Sequence, residues 1–508
     1  MILELSFLPT NPIMKVVFGV GAFILAGILY LLFKFVILVL IRMNHYKKQG
    51  APCYFRPMIG QFGMMMGAFD EHGDFYYYSK RGSKENPTRF FCTNMGDNPY
   101  IILHDTALIK EFYLNNDNYV KEQLSLDFFP YLLGQGLVIA EGTKWRAQKK
   151  MLSSTFHFEF LNSFLPVIQK IAIKRLSALK KNSLKDFDIM QEMQNISGDI
   201  VGKMFFGEEV DQYTFEGKPL TDALSDLINE TFTANGTLER HIFGLWLIQF
   251  MPKHKKMIKK IDDFRNTCSK FVQMRKEELA KQGGGDKKDM LQVLVEYSGK
   301  EEKLKDMDYV DQFLSFFLPG LDTTGHLLTM SIYYLAKNPE IKAKVLAEYE
   351  EYRSSGRPLT IEELNKLEFT SAFLKEVLRT STPLNDIFAR KCIKDHNLKD
   401  LHIKKGDVVN VDYYYNNYNS EFFKDPFKFD PTRWLSKEKS LDPYCFTPFS
   451  AGPRTCIGQH LAMNETKIIL MEYLLMYDWN IKEGYELKTT LKFLYGPAEP
   501  ILVNMTPK

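Results

Sequence analysis

Cys456 is the residue of this sequence whose surroundings point most clearly to chemistry. It lies in residues 449–459, FSAGPRTCIGQ, where small and turn-forming residues lead into a predicted helix over residues 460–477. The N-terminus of a helix presents free N–H groups and a partial positive charge, which lower the pKa of a thiol and favour the thiolate. A thiolate held in this way suits a soft metal ligand or a nucleophile. A solitary cysteine outside such a loop is more often a buried and inert thiol.

A second unusual segment, residues 319–324 (PGLDTT), lies in the middle of a long apolar stretch, residues 309–336, that predicts a helix. Glycine and β-branched threonine are poor helix formers, so their clustering needs an explanation. Threonine and aspartate can divert backbone hydrogen bonds and bend a helix, which opens room for a small ligand. Pro319 removes one hydrogen bond, to the carbonyl of Ser315, and should fix the kink more rigidly. A kinked but inert core helix is the alternative.

Two further pairs of residues have the spacing of one helical turn. Glu376 and Arg379 are three residues apart in a helical segment that ends at Pro383, so they can form an ion pair. Trp145 and Lys149 are four residues apart and can face the same ligand. Each pair alone is weak evidence, because a solvated surface cation, a core tryptophan or an exposed ion pair would give the same pattern.

Taken together and in order, these motifs resemble the cytochrome P-450 family. All fixed positions of the pattern F-x-x-G-x-R-x-C-x-G are present around Cys456, and E-x-x-R and F-x-P-x-R-W (residues 429–434) precede it in the family's order. Residues 319–324 are similar to the family's oxygen-activation motif, except that Pro319 stands where alanine or glycine is usual. The resemblance covers about residues 50–505.

The resemblance implies a haem b cofactor with Cys456 as the axial thiolate ligand of the iron. Electron donation from a thiolate favours cleavage of the O–O bond. Phe449 would pack beside the sulfur side of the haem. The residues implied to contact the propionates are Trp145, Lys149, Arg390 and Arg454. Lys149 replaces the commoner arginine and offers a point charge instead of a planar fork.

The resemblance also assigns roles away from the propionates. Thr323 would hold a water-mediated hydrogen bond on the oxygen side, and Asp322 would belong to the proton relay. Glu376, Arg379 and Arg433 would form a buried network with a structural role. Breaking one pair of such a network leaves an uncompensated buried charge, at a cost of about 3–5 kcal/mol.

The pattern of the whole chain predicts a mainly α fold with a small β region, the cytochrome P-450 fold. Residues 99–104 predict a strand, and residues 398–413 predict a β-hairpin around a Lys-Gly-Asp turn. Three consecutive glycines, residues 283–285, predict a surface loop. No domain boundary is visible within residues 58–508, which we interpret as one catalytic domain.

The N-terminal region predicts one transmembrane helix. Residues 16–33 carry no charge, and after Lys34 the apolar run continues to residue 41, which is enough to cross a bilayer. We expect a short luminal N-terminus (residues 1–15), an anchor (16–41) and a basic linker containing glycine and proline (42–57). The basic residues after the anchor predict that the catalytic domain faces the cytosol, and the resemblance implies the endoplasmic reticulum as the membrane. A cleaved signal peptide is the alternative.

The composition excludes several classes of protein. The chain has 508 residues, of which 45% are hydrophobic and 25% charged, as in a globular protein and unlike a disordered or collagen-like chain. The formal net charge is +3, so we expect no nucleic-acid partner. The six cysteines form no C-x-x-C pair, which argues against a disulfide framework and a zinc finger.

The function implied by the resemblance is mono-oxygenation of a small apolar or amphipathic substrate, such as a lipid, sterol or xenobiotic. The sequence has no strand–G-x-G-x-x-G–helix unit, so the electrons must come from a separate partner. That partner is expected to be an NADPH-dependent flavoprotein reductase, with a b5-type cytochrome as a further donor. Two alternatives stay open: an enzyme of the same fold that rearranges peroxides or dehydrates its substrate without oxygen, and a non-catalytic haem-binding sensor or carrier.

One surface segment is ambiguous. Residues 242–251 (IFGLWLIQFM) are apolar and aromatic, and lysines follow from Lys253 onward. Such a sequence can dip into an anionic membrane interface, and membrane lipid is therefore an expected partner. Ordinary core residues beside a solvated lysine face would give the same pattern.

Overall fold

The computed structural model describes residues 12–57, 60–122, 127–179, 183–210, 213–282, 289–298, 304–385, 389–436 and 441–508. The loop predicted at residues 283–285 lies outside the described residues. The α-helices are α1 (Pro12–Leu32), α2 (Leu38–Lys47), α3 (Gly60–His72), α4 (Tyr77–Glu85), α5 (Thr106–Leu114), α6 (Phe129–Leu133), α7 (Gly142–Ser153), α8 (Phe158–Leu179), α9 (Ile189–Phe206), α10 (Leu220–Asn235), α11 (Leu238–Phe243), α12 (Leu245–Ile248), α13 (Pro252–Gln282), α14 (Met290–Ser298), α15 (Asp306–Lys337), α16 (Pro339–Ser354), α17 (Ile361–Asn365), α18 (Glu368–Thr380), α19 (Tyr413–Asn417) and α20 (Gln459–Met476).

The strands are short by comparison. They are β1 (Phe90–Met95), β2 (Asn98–Leu103), β3 (Tyr119–Lys121), β4 (Leu184–Asp188), β5 (Thr214–Phe215), β6 (Lys218–Pro219), β7 (Arg390–Cys392), β8 (His396–Leu398), β9 (Leu401–Ile403), β10 (Val408–Val411), β11 (Tyr477–Ile481), β12 (Thr489–Leu491), β13 (Tyr495–Pro497) and β14 (Leu502–Pro507). The largest sheet has the order β1-β2-β10-β7-β3. The prediction of a mainly α fold with a small β region is confirmed.

Helix α15 forms the centre of the helical part. Its residues are apolar and buried on most sides over nearly its whole length, as expected of a helix that crosses a core. It packs against α9, α13, α18 and α20. Pro319 lies inside α15, and the helix continues on both sides of it. The segment 319–324 is thereby held in the interior of the domain.

The N-terminal helix continues further than the sequence indicates. Helix α1, a π-helical turn (Phe33–Ile37) and α2 form one helix, Pro12–Lys47, which is long and apolar enough to cross a membrane. The helix is exposed up to about residue 33, and from Phe35 onward one side packs on the catalytic domain. The buried positions, Phe35, Val39, Met43 and Tyr46, recur every three or four residues and therefore share one face.

The first part of the predicted linker is thus helical and fixed to the domain. Arg42 and Tyr46 both bond the buried carboxylate of Asp407, and Lys34 lies 3.3 Å from Asp97. The linker was expected at residue 42 because the basic residues begin there. Arg42 forms an ion pair with Asp407 and His45 bonds the carbonyl of His402, and so the start of the basic segment marks a point of contact with the domain.

The predicted hairpin over residues 398–413 is wrong. The turn exists, with Gly406 at a φ of +87°. Strand β9, before the turn, pairs with β8, whereas β10, after the turn, runs parallel to β2 and antiparallel to β7 in the largest sheet. All four residues of β10 are buried, which suits a central strand and not one arm of an exposed hairpin.

Candidate active site

A large cavity opens between α15, the loop before α20 and the strands β7 and β10. The volume of the cavity is about 350 Å³. Its walls include these residues indicated by the sequence: Trp145, Lys149, Thr323, Arg390, Phe449, Arg454 and Cys456. Asp322 is not among the residues that line it.

The cysteine loop brings Cys456 to the cavity through a tight backbone. The N–H of Cys456 donates to the carbonyl of Phe449 at 2.9 Å, which closes the loop just before α20. Gly452 has a φ of +68°, and a Cβ there would lie 2.7 Å from the carbonyl oxygen of Tyr113. A side chain at this position would therefore push the loop away from α5. The Cys456 side chain is accessible from the cavity.

The net direction of the Cys456 pKa differs from the prediction. Burial raises the pKa of the thiol, and the backbone N–H groups of Gly458 and Gln459 and the charge of Lys149 lower it without reversing the effect. The N–H donors at the start of α20 are thus present as expected, but desolvation in the cavity wall outweighs them. A bound cation at the sulfur would be needed to favour the thiolate.

Three cations meet in one wall of the cavity: Arg390, which is buried, and Lys121 and Arg454, which are partly buried; sequence analysis indicated only the two arginines. Arg454 and Lys121 both contact Glu141 and donate to the carbonyl of Ala140, at 3.0 and 3.2 Å. Arg390 and Arg454 share the Asn116 side-chain oxygen, at 3.2 and 3.3 Å.

Three cations share the single carboxylate of Glu141 in this wall, and the pKa of each cation is lowered. Burial is the largest cause in each case, and the neighbouring arginines add to it for Lys121 and Arg454. The pKa of Lys121 falls to about 7 and that of Arg454 to about 10, while that of Arg390 is lowered. Glu141 opposes the shift at all three cations. The wall is therefore suited to a ligand that brings further negative charge.

Trp145 and Lys149 occupy α7 beside this group. The guanidinium carbon of Arg454 lies 3.8 Å from the centre of the Trp145 ring, a stacking arrangement that fixes the arginine. The Lys149 ammonium lies 5.4 Å from the same ring and donates to the carbonyl of Pro453. The one-turn spacing of the two residues thus places both against the cysteine loop.

Helix α15 presents Thr323 to the cavity and turns Asp322 away from it. The Thr323 hydroxyl donates to the carbonyl of Pro319 at 2.7 Å, so its lone pairs are left to accept a hydrogen bond from the cavity. Asp322 accepts a hydrogen bond from the Gln194 side chain of α9 at 2.9 Å. Burial raises the pKa of Asp322 to about 7, against opposing hydrogen bonds from Gln194 and Ser225.

The residues Glu376, Arg379 and Arg433 come together away from the cavity. Arg379 donates to both carboxylate oxygens of Glu376, at 2.7 and 2.9 Å, and both side chains are fully buried. Arg433 and the Trp434 indole donate to the same carboxylate at 3.1 and 2.9 Å. The segment 431–434 is thereby attached to α18.

Sequence reasoning missed Lys121 and Glu465. Lys121 ends β3, a strand of three residues without a motif, and no local signal marks it. Glu465 lines the cavity from α20, and its buried Oε1 has no hydrogen-bond partner among the described residues. Burial raises the pKa of Glu465 to about 8. A glutamate within the apolar sequence of α20 was the signal that could have identified it.

The donor set of the cavity fits a haem. A haem carries two propionates, which would neutralise the excess positive charge around Lys121, Arg390 and Arg454. Its iron takes a soft thiolate ligand, and the Cys456 sulfur is accessible from the same cavity. The fold and the cavity therefore define the class of haem-thiolate enzymes.

Comparison with known proteins supports the assignment to the haem-thiolate enzymes. The cytochrome P450 family model matches residues 68–505, and the chain belongs to that family. It is a haem-dependent monooxygenase, and enzymes of this family use redox partner proteins. Cytochrome P450 4c21 of Blattella germanica is 29% identical over 430 residues, 80% of this chain and 83% of that protein. Cytochrome P450 4V2 of Rattus norvegicus is 29% identical over 397 residues, 74% of each chain. The solved heme domain of cytochrome P450DA has the same fold, with a TM-score of 0.74, 19% identity, and coverage of 90% of this chain and 98% of that chain.

Proposed function

We propose that this chain is a membrane-anchored haem-thiolate monooxygenase that inserts one oxygen atom of O2 into an apolar or amphipathic substrate. The observation that carries the proposal is the placement of Cys456 and of the three cations Lys121, Arg390 and Arg454 on one cavity. The remaining walls are mainly aliphatic and aromatic side chains. This arrangement supports a bound haem with an apolar substrate beside it.

Haem b would be held by Cys456 as a ligand of its iron and by basic side chains at its propionates. Phe449 would pack beside the sulfur. The residues that would receive the propionates are Lys121, Trp145, Lys149, Arg390 and Arg454. When bound, the haem supplies the redox chemistry that activates oxygen. The protein's contribution is to hold the thiolate, neutralise the propionates and exclude bulk water from the apolar side.

Thr323 and Asp322 would take part in proton transfer on the side of the cavity where oxygen would bind. Because the Thr323 hydroxyl already donates to Pro319, its role is to accept a hydrogen bond and hold a water molecule in place. Asp322, with a pKa near 7, can take up and release protons at physiological pH. Its contact with Gln194 supports a proton route that enters from the side of α9.

The electrons would come from an NADPH-dependent flavoprotein reductase, with a b5-type cytochrome as a further donor. This follows from the lack of a dinucleotide-binding motif in the sequence. The location would be the endoplasmic reticulum membrane, with a single pass and the catalytic domain in the cytosol. The helix Pro12–Lys47 supports this location, as do Trp246 and Phe250, whose side chains are 71% and 70% exposed beside the lysines of α13.

The test is reconstituted turnover of the full chain with a flavoprotein reductase, NADPH and a panel of lipids and sterols. Cys456→Ala should abolish turnover and the red-shifted Soret band of the reduced, carbon monoxide-treated protein, whereas Cys53→Ala, outside the cavity, should keep both. If Cys456→Ala kept the band, another residue would be the ligand. A product formed from peroxides without NADPH would indicate the rearranging enzyme, and haem binding without any product would indicate the carrier.

A further inference from the structure

Two cysteines that take no part in the proposed function lie side by side. Cys53 follows the N-terminal helix, and Cys92 lies in β1. The N–H of Tyr54 donates to the carbonyl of Cys92, and the N–H of Cys92 donates to the carbonyl of Pro52, both at 2.9 Å. These bonds form a parallel β-bridge in which Cys53 stands directly opposite Cys92. The two residues are therefore neighbours in space, although α3 and α4 separate them in the chain.

The bridge brings the two side chains together. Residues directly opposite each other in neighbouring strands project their side chains on the same face. The backbones of neighbouring strands lie about 4.7–4.9 Å apart, and a disulfide needs a Cα separation of about 4.4–6.8 Å. The thiols of Cys53 and Cys92 interact as hydrogen-bond partners. The pair is therefore placed to form an S–S bond without a rearrangement of the backbone.

The two thiols differ in access and in acidity. Cys53 is partly exposed, whereas Cys92 is fully buried. The hydrogen bond with Cys92 is the largest influence on the pKa of Cys53 and lowers it; burial opposes this effect, and the charge of Lys47 adds to it. The same hydrogen bond and burial raise the pKa of Cys92. Cys53 is thus the thiol that an oxidant can reach as a thiolate, and Cys92 is a thiol held behind it.

Two other thiols outside the cavity show the contrast. Cys268 is fully buried, and burial raises its pKa to about 12. Cys392 donates to the carbonyl of Lys394 at 2.9 Å, and burial raises its pKa to about 11. Neither of them forms a hydrogen bond with another cysteine in the described part of the chain. Solitary thiols of this kind are inert, whereas an accessible thiol beside a second one can undergo redox chemistry.

We propose that Cys53 and Cys92 form a disulfide when the protein meets hydrogen peroxide. The Cys53 thiolate attacks one peroxide oxygen, the O–O bond breaks and hydroxide leaves, which gives a sulfenic acid on Cys53. The Cys92 sulfur then attacks the Cys53 sulfur, and the S–O bond breaks. The hydroxyl group leaves with the Cys92 proton as water. The two sulfurs have then given two electrons to the peroxide.

The disulfide would make a non-covalent attachment covalent. In the reduced protein the segment after the N-terminal helix is held to β1 by the bonds of the bridge and by the Thr93 hydroxyl, which donates to the carbonyl of Tyr54 at 3.0 Å. The S–S bond would close a loop that contains α3 and α4, and closing a loop lowers the entropy of the unfolded chain. Disulfides of cytosolic proteins are transient, so this one would strengthen the attachment only under oxidising conditions.

The test treats the full-length, pre-reduced holoenzyme with equimolar hydrogen peroxide, blocks the free thiols with N-ethylmaleimide and digests the protein with trypsin without a reductant. Cys53 and Cys92 are the sole cysteines of the tryptic segments 49–80 and 90–110, so mass spectrometry identifies a link between them. The variants Cys53→Ala and Cys92→Ala each remove one member of the pair. Cys392→Ala is the matched control, because it removes a thiol and keeps the pair.

We expect the linked peptides in the wild type and in Cys392→Ala, their separation by dithiothreitol, and a higher unfolding midpoint in the oxidised protein. Cys92→Ala should instead accumulate a sulfenic acid on Cys53 that dimedone traps, whereas Cys53→Ala should keep Cys92 as a free thiol.

Oxidation of Cys92 in Cys53→Ala would show that Cys53 is not the attacking residue and would overturn the proposal. A wild type without linked peptides, or with Cys53 converted only to a sulfonic acid, would overturn it as well. These readouts do not require turnover, so a failure of the proposed function cannot be mistaken for a failure of the disulfide to form.

Discussion

Replacement of Glu376 by glutamine should destabilise the protein by about 3–5 kcal/mol, because it leaves a fully buried arginine without its counter-charge. The glutamine keeps one acceptor oxygen, but its amide group replaces either Oε2, which accepts from Arg379 and Trp434, or Oε1, which accepts from Arg379 and Arg433. The substitution thus removes a charge and introduces opposed donors within the same network.

The remaining contacts of Arg379 set the size of the effect. Its guanidinium still donates to the carbonyls of Asn417 and Pro426, at 2.7 and 2.8 Å. These bonds satisfy part of the group but carry no negative charge, which favours the lower end of the range, about 3 kcal/mol. Replacing Glu376 and Arg379 together by apolar residues should recover part of the loss, since no unpaired buried charge then remains.

The assay is urea unfolding of the full chain in detergent, with the midpoint and slope compared between variants. Asp400→Asn is the matched control, because its bidentate pair with Arg89 has the same chemistry but exposed side chains, 66% and 49%. Its loss should be much smaller, because water and salt screen an exposed ion pair. If Glu376→Gln lost no more than Asp400→Asn, the buried network would not be a stabilising element and the reasoning would be refuted.

Three further predictions concern other parts of the molecule. Thr323→Ala should lower product formation by about 10²–10⁴-fold while NADPH is still consumed and hydrogen peroxide appears. Thr329→Ala, which removes the same kind of helix bond outside the cavity, should leave product formation unchanged. Equal peroxide yields in the two variants would contradict the proton role of Thr323. The stability of the haem-free protein should rise with pH from about 7 to about 10.4, because unfolded Lys121 keeps its proton across this window and folded Lys121 does not. The unfolding midpoint of Lys121→Met should lack this dependence on pH. The same dependence in both proteins would refute the prediction. Deleting residues 1–33 should weaken binding to liposomes and preserve the unfolding midpoint. Deleting residues 1–47 should lower the midpoint as well. Equal midpoints in the two truncated proteins would show that residues 34–47 do not stabilise the domain.

The elements that were predicted well are those that a local pattern determines. Helix α15 was expected at residues 309–336 and observed at Asp306–Lys337, because a long apolar run bounded by Asn338 and Pro339 leaves few alternatives. The cysteine loop and the start of α20 were placed to within one residue, since its turn-forming residues specify where the helix begins. In these segments the information lies within a few neighbouring residues.

The features that were missed depend on residues far apart in the chain. Lys121 becomes part of the site only because β3 pairs with β7, which brings it beside Arg390. The hairpin was mispredicted because the turn at Gly406 is compatible with either partner for the next strand, and the burial of β10 between β2 and β7 decides between them. Neither pairing leaves a local trace in the sequence.

The attachment of the N-terminal helix bears on the cofactor site through the same strand. Asp407, which Arg42 and Tyr46 bond, immediately precedes β10, and Val409 of β10 is paired with Arg390 of β7. Arg390 in turn faces the cavity. Loss of residues 34–47 would leave the buried carboxylate of Asp407 unpaired at the beginning of this strand pair, whereas loss of residues 1–33 would not touch it. Deletion of residues 1–47 should therefore weaken haem retention as well as stability, because the N-terminal helix also holds the strand pair that carries one cation of the candidate cofactor site.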